Sequence, residues 1–338
     1  MMMDTLVCAA PGQLVLERRP IPERADDEVL IRVRRVGVCG TDMHIYRGTQ
    51  PFLAYPRVMG HELAGEVAQA PMGSDLAPGD PVYVMPYMSC GTCAACRKAK
   101  PNCCMNIQVL GVHRDGGMAE YLAVPQGFVR KADGISLDEA AMIEFLAIGA
   151  HAVRRAAITP GQSVLVVGAG PIGIAAALFA KLQGGIVTAL DGRQDRLDFC
   201  RDHLGADHVA ALGEGTRQAL SDITDGDFFD VVFDATGNPK AMEAGFAYVG
   251  HGGTYVLISV VGADITFSDP EFHKRETTLL GSRNATPEDF DAVVEAMKAG
   301  KVPTKALNTH AATLAEVAQA LPGWMEPQAG VIKAIVSC

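Results

Sequence analysis

Ser163-Val164-Leu165-Val166-Val167-Gly168-Ala169-Gly170-Pro171-Ile172-Gly173 is the stretch on which the fold turns. Apolar, β-branched residues lead into three glycines in Gly-x-Gly-x-x-Gly spacing, and an Ala-rich run then reaches Gly184. The glycine spacing alone is a weak signal. Between a strand and a helix it reads as a dinucleotide-binding turn, in which glycine permits a tight bend and a pyrophosphate can rest on the helix N-terminus. The next apolar run, residues 186–190, ends at Asp191. An acidic group there accepts hydrogen bonds from both adenosine ribose hydroxyls and repels a 2′-phosphate, which favours NAD over NADP. Arg193 and Arg196 keep NADP open, because a cation there could hold that phosphate. Gly168, Gly170, Pro171, Ile172, Gly173, Asp191 and Arg196 are the expected cofactor contacts, with Thr236 in the turn after a further strand at 230–234.

Working outward, a helix is expected to residue 248, a strand over 252–259, helices over 287–300 and 313–321, and a closing strand over 330–336. Strands alternating with helices imply an α/β fold with a doubly wound parallel sheet. At 338 residues the chain suggests two domains. Its formal charge of −10 and lack of a basic block argue against sequence-independent nucleic-acid binding, which needs Lys and Arg to displace counterions. The uncharged run 164–180 is short for a membrane span and is broken by glycines and a proline. No secretory signal is evident at residues 1–20, so the nine cysteines point to metal ligation in a reducing, cytoplasmic compartment.

The first part reads as β-rich. Residues 29–38 alternate apolar and basic positions, the pattern of a half-buried strand, and run into Cys39-Gly40-Thr41-Asp42-Met43-His44. Gly60-His61-Glu62 follows a Tyr-Pro turn and precedes another strand. No helix is needed before about residue 136, which suggests a barrel-like domain. Cys90, Cys93 and Cys96 form two Cys-x-x-Cys steps that share a cysteine, and Cys104 follows after seven intervening residues. Four thiolates so spaced suit a closed tetrahedral zinc site, with Cys103 the ambiguous neighbour. Ser136 and Glu139 form a capping-box signature. Glu144 then falls inside an apolar run, where an unpaired carboxylate is costly to bury.

In this order, Cys39, the Gly-His-Glu turn, the four-cysteine lobe and the glycine turn resemble the zinc-containing medium-chain alcohol and polyol dehydrogenases over essentially the whole chain. Residues 268–286 and 151–157 look most like the branch of bacterial L-galactonate/L-gulonate 5-dehydrogenases. The resemblance implies a GroES-like β-barrel catalytic domain, residues 1–146 and 284–338, with the zinc lobe at 88–105. A Rossmann domain at 147–283 would bind the cofactor. It implies two zinc ions per chain and NAD. Cys39 and His61 would hold the catalytic zinc, with Glu62 and Glu144 as carboxylates that bind it directly, through water or in alternation. Asp42 would orient the His61 imidazole, and Thr41 and His44 would start and end a proton relay. Phe145 stands where this branch commonly has proline. Expected partners are a small polyhydroxy substrate, with neither nucleic acid nor membrane, and further copies of the chain in a dimer or tetramer. The implied reaction moves hydride from the C5 secondary alcohol of a sugar acid to NAD, with a sorbitol-type polyol as the alternative substrate. Arg283 is the leading candidate for a substrate carboxylate, since its guanidinium suits bidentate recognition, with Asn284 for hydroxyls and Arg47 and His113 behind them. The sequence supplies both Glu62 and Glu144 without choosing between them.

Overall fold

The strand Ser163–Val167 lies inside a six-stranded parallel sheet, in a computed structural model that describes residues 1–338. The order across that sheet is His208–Ala211, Ile186–Asp191, Ser163–Val167, Phe229–Asp234, Val249–Leu257 and Thr278–Gly281. Sequence order reverses beside Ser163–Val167, and ligands of open α/β sheets bind beyond the strand ends at such a switch point. Leu165, Val167, Leu190, Val232 and Tyr255 fill the core of this unit. Burying one aliphatic side chain of this size contributes roughly 1.5–3 kcal/mol. The chain divides into two compact units, residues 1–144 with 286–338, and residues 145–285.

The first unit is built on β-structure. A three-stranded sheet pairs Met2–Ala10 with Gln13–Pro20 on one side and Arg57–Val58 on the other. The larger sheet runs Val129–Lys131, Pro81–Val84, Glu62–Gln69, Glu28–Val38, Lys333–Ser337 and Asn308–Thr313, with Tyr121–Pro125 added to Glu28–Val38. No ladder joins Asn308–Thr313 back to Val129–Lys131, so the barrel-like layer is open by its hydrogen bonds. Lys333–Ser337 pairs antiparallel with Glu28–Val38, Ala334 opposite Val38, and parallel with Asn308–Thr313. Leu6, Val29, Val36, Ile45, Met59, Met118 and Val336 form part of its core.

One expectation fails. A helix, Gly40–Arg47, precedes residue 136 and follows Cys39 directly. Only Asp42 and Ile45 of its eight residues are buried, so it carries no apolar periodicity to read. Its ends are defined by local chemistry instead. Asp42 accepts from the Cys39 N–H at 2.9 Å, and Gly48, at φ 77°, closes the far end. The Ser136–Glu139 capping box forms as expected. The helix behind it breaks at residues 141–142 and resumes as Ile143–Ala156. No helix is long and apolar enough to cross a membrane.

Gly173 shows how tightly the nucleotide turn is folded. A Cβ there would fall 1.7 Å from the Gly168 carbonyl oxygen, so helix and strand meet through bare backbone. Gly173→Ala is expected to cost about 1–3 kcal/mol and to weaken dinucleotide binding. Chemical denaturation and a fluorescence titration with NADH check both.

Candidate active site and metal centres

Asp42 organises the first cluster. Its carboxylate is fully buried, and burial raises its pKa despite His61 and two backbone donors. One oxygen accepts from the Cys39 N–H at 2.9 Å and the other from the Gly60 N–H at 3.1 Å. A single side chain thus ties the backbone before Thr41 to the backbone before His61. Asp42 makes no hydrogen bond to the imidazole it is expected to orient; His61 Nδ1 is buried and has no hydrogen-bond partner. Each carboxylate oxygen instead accepts from a backbone donor that no motif reveals.

The ligand atoms of Cys39, His61 and Glu62 lie within 4.8 Å of one another. Burial disfavours an imidazolium here, but Cys39, Glu144 and Asp42 outweigh it and hold His61 well above the usual imidazole range. That negative field is what attracts a bound cation. A half-buried thiol beside a buried imidazole with an orphaned nitrogen and a buried carboxylate fits a zinc ion, which takes N, S and O donors. Glu62 itself is completely buried and paired with Lys333, whose Nζ donates to both carboxylate oxygens at 2.7 and 2.8 Å and to the Val38 carbonyl at 3.2 Å. Burial works against the Lys333 cation, yet Glu62 and Cys39 prevail and raise its pKa. Room for Glu62 is made by Gly37, where a Cβ would sit 2.0 Å from Oε2.

Glu144 sits at the start of the helix Ile143–Ala156, 5% exposed, with the Tyr87 hydroxyl donating to its Oε1. Burial raises its pKa, and so does Glu62, while His61 opposes them. It lies outside the 4.8 Å cluster. Thr41 Oγ1 accepts a long bond from Cys39 Sγ at 3.9 Å. His44 is exposed, with Nδ1 2.9 Å from Thr49 Oγ1. The same unit therefore holds the thiol, both glutamates, the hydroxyl and a solvent-facing imidazole.

Cys90, Cys93, Cys96 and Cys104 form a second cluster within 4.8 Å. The sulfurs of Cys93 and Cys96 are 3.5 Å apart, Cys90 and Cys104 3.5 Å, and Cys93 and Cys104 3.9 Å. Tetrahedral zinc with bonds of ~2.3 Å places its sulfurs ~3.8 Å apart, so the spacing fits that ion. Backbone N–H groups of Met105 and Asn106 donate to Cys93 and Cys104 sulfurs. Donation from the Thr92 and Cys93 backbone lowers Cys90 to about 5, which favours the thiolate a metal needs. Cys103 is exposed and outside the cluster.

In the second unit the glycine turn is intact. Gly168 has φ 91° and stands against Thr236, while a Cβ on Gly170 would meet nothing within 4 Å. That open space at a helix beginning at Pro171 is what a close-lying pyrophosphate requires. Ile172, next along, belongs to the same first turn. Asp191 accepts from the Ala169 N–H at 2.6 Å and from the Arg193 N–H at 2.8 Å, fastening the turn to the next strand end. Arg196 is buried on the helix Gln194–Leu204. Arg283, exposed, and Asn284, at φ 53°, follow the strand Thr278–Gly281.

Residues 25–134 match the alcohol dehydrogenase GroES-like domain, and residues 171–299 match the zinc-binding dehydrogenase family. The chain is 46% identical over 318 residues to L-galactonate-5-dehydrogenase of Escherichia coli K12, covering 93% of this chain and 94% of that one. This chain belongs to the zinc-binding alcohol dehydrogenases. Sorbitol dehydrogenase of Bacillus subtilis 168 is 31% identical over 331 residues, covering 94% of this chain and 92% of the relative. An alcohol dehydrogenase structure from E. coli CFT073, complexed with NADH, superposes with a TM-score of 0.93 at 30% identity, covering 100% of this chain and 99% of that one. As a zinc-type alcohol dehydrogenase the protein is an oxidoreductase of the medium-chain class.

Lys333 and Tyr87 are the two residues at the centre that sequence reasoning missed. A lysine in the otherwise apolar run 331–336 was the one available signal for the first. Tyr87 had none. The lobe can be tested by substitution: Cys104→Ser is expected to lose one zinc per chain and to lower the melting temperature, whereas Cys103→Ser keeps the zinc content of the parent. Metal analysis of the purified variants decides it.

Proposed function

We propose that this enzyme oxidises a secondary alcohol of a sugar acid, of the L-galactonate or L-gulonate type at C5, to the keto-acid with NAD. Per turnover the alcohol loses a hydride and a proton, giving ketone, NADH and H⁺. The observation that carries the reading is the Cys39–His61–Glu62 donor cluster in a chain 46% identical to an L-galactonate-5-dehydrogenase. Cys39 and His61, with a carboxylate from Glu62 or Glu144, hold the catalytic zinc; Cys90, Cys93, Cys96 and Cys104 hold the structural one. When bound, zinc acidifies an oxygen ligand and NAD accepts hydride.

The remaining work falls to the chain. Thr41, whose hydroxyl adjoins the Cys39 sulfur, takes the substrate proton, and solvent-facing His44 delivers it to water. Gly168, Gly170 and Gly173 admit the pyrophosphate, helped by Pro171 and Ile172, and Thr236 stands beside Gly168. The unengaged lone pairs of Asp191 take the ribose hydroxyls and set the preference for NAD. Arg283 pairs with the substrate carboxylate, and Asn284 reaches its hydroxyls. The enzyme works as a dimer or tetramer. A sorbitol-type polyol is the second reading, favoured by the likeness to the B. subtilis enzyme.

An NAD-linked assay across L-galactonate, L-gulonate, other aldonates and hexitols separates the two. Aldonates are expected to give the highest kcat/KM; a hexitol above every aldonate sinks the sugar-acid reading. Arg283→Ala should raise KM for the aldonate about tenfold to hundredfold, the worth of a charge-assisted hydrogen bond, and leave KM for NAD unchanged. Cys39→Ser should reduce turnover to background while circular dichroism stays that of the parent.

A further inference from the structure

Two buried carboxylates serve one centre, and each is restrained differently. Glu144 is held by a neutral hydroxyl, that of Tyr87. Glu62 is held by a full positive charge, with Lys333 Nζ on both of its oxygens and both side chains at most 1% exposed. The charge count needs that lysine. Cys39 as thiolate with Asp42, Glu62 and Glu144 brings four negative charges together, three of them on carboxylates at most 5% exposed, and a divalent metal offsets only two. Uncompensated charge in such a place is severely penalised. Lys333 supplies a third positive charge from a neighbouring strand, where its Nζ is also fixed by the Val38 carbonyl next to Cys39.

We propose that Lys333 is a positioning residue that competes with the active-site zinc for Glu62 and so limits how much carboxylate charge reaches the metal. The inference rests on the zinc site proposed above. While Glu62 is bound to Lys333 it is a weak donor, and the metal keeps its electron-accepting power for the substrate oxygen. With the lysine gone, Glu62 turns its whole charge to the metal, which is held more tightly and polarises the alcohol less.

Lys333→Met is therefore expected to slow zinc loss to a chelator at least tenfold and to lower kcat with KM for NAD unchanged. It should also shift the visible bands of the cobalt-exchanged enzyme, read as a difference from cobalt-exchanged Cys39→Ser. Lys333→Gln, which retains an N–H donor without the charge, should slow zinc loss at least threefold and carries the test if the methionine variant does not fold. Lys333→Arg should restore parental bands. In a Glu62→Gln background, Lys333→Met should change zinc loss less than twofold, because the lysine acts through that carboxylate. Zinc loss unchanged or faster in both neutral variants, or a change of equal size in the Glu62→Gln background, overturns the proposal and leaves a packing role. Failure of the underlying zinc site would look different: the parent enzyme would then contain one zinc per chain, not two.

Discussion

A carboxylate cannot be buried without partners, and that constraint runs through the whole first unit. Asp42, Glu62 and Glu144 are all at most 5% exposed. Each is satisfied in a separate way: Asp42 by two backbone N–H groups, Glu62 by the Lys333 cation, Glu144 by the Tyr87 hydroxyl. Each solution ties together segments that are distant in the chain. Asp42 joins the helix Gly40–Arg47 to the loop before the strand Glu62–Gln69, and Lys333 reaches a partner 271 positions away. The donor cluster is where these ties converge, so metal chemistry and architecture share the same charges.

The second unit works by the opposite means. Its turn at Gly168–Gly173 is built from missing side chains, with Gly168 and Gly173 making contact through backbone and Gly170 leaving space. Asp191 adds the one strong polar tie, accepting from Ala169 and Arg193. One unit concentrates negative charge that suits a cation, and the other presents helix N–H groups that suit an anion.

What could be read in the sequence was local. The Gly-x-Gly-x-x-Gly turn, the cysteine lobe and the Ser136–Glu139 cap are each defined within fifteen residues, where spacing maps directly onto geometry. The helix Gly40–Arg47 escaped because a short helix with two buried residues has no periodicity to show. The ties from Asp42 to the Cys39 and Gly60 N–H groups escaped because backbone donors carry no sequence signature. Lys333 escaped for a third reason: a lysine in a strand ordinarily turns outward, and only the pairing of Lys333–Ser337 with Glu28–Val38 brings it to Glu62.

The position of Lys333–Ser337 inside the large sheet has a consequence for how the enzyme is made. That strand fills the place between Glu28–Val38 and Asn308–Thr313, and it is synthesised after the entire 145–285 unit. Without it, the Val38 end of Glu28–Val38 lacks a ladder partner beside Cys39, and Glu62 lacks its cation. The 145–285 unit is contiguous in sequence and leaves the ribosome before Lys333–Ser337 does. The first-translated strands of the sheet thus depend on the last-translated one for their final ladder.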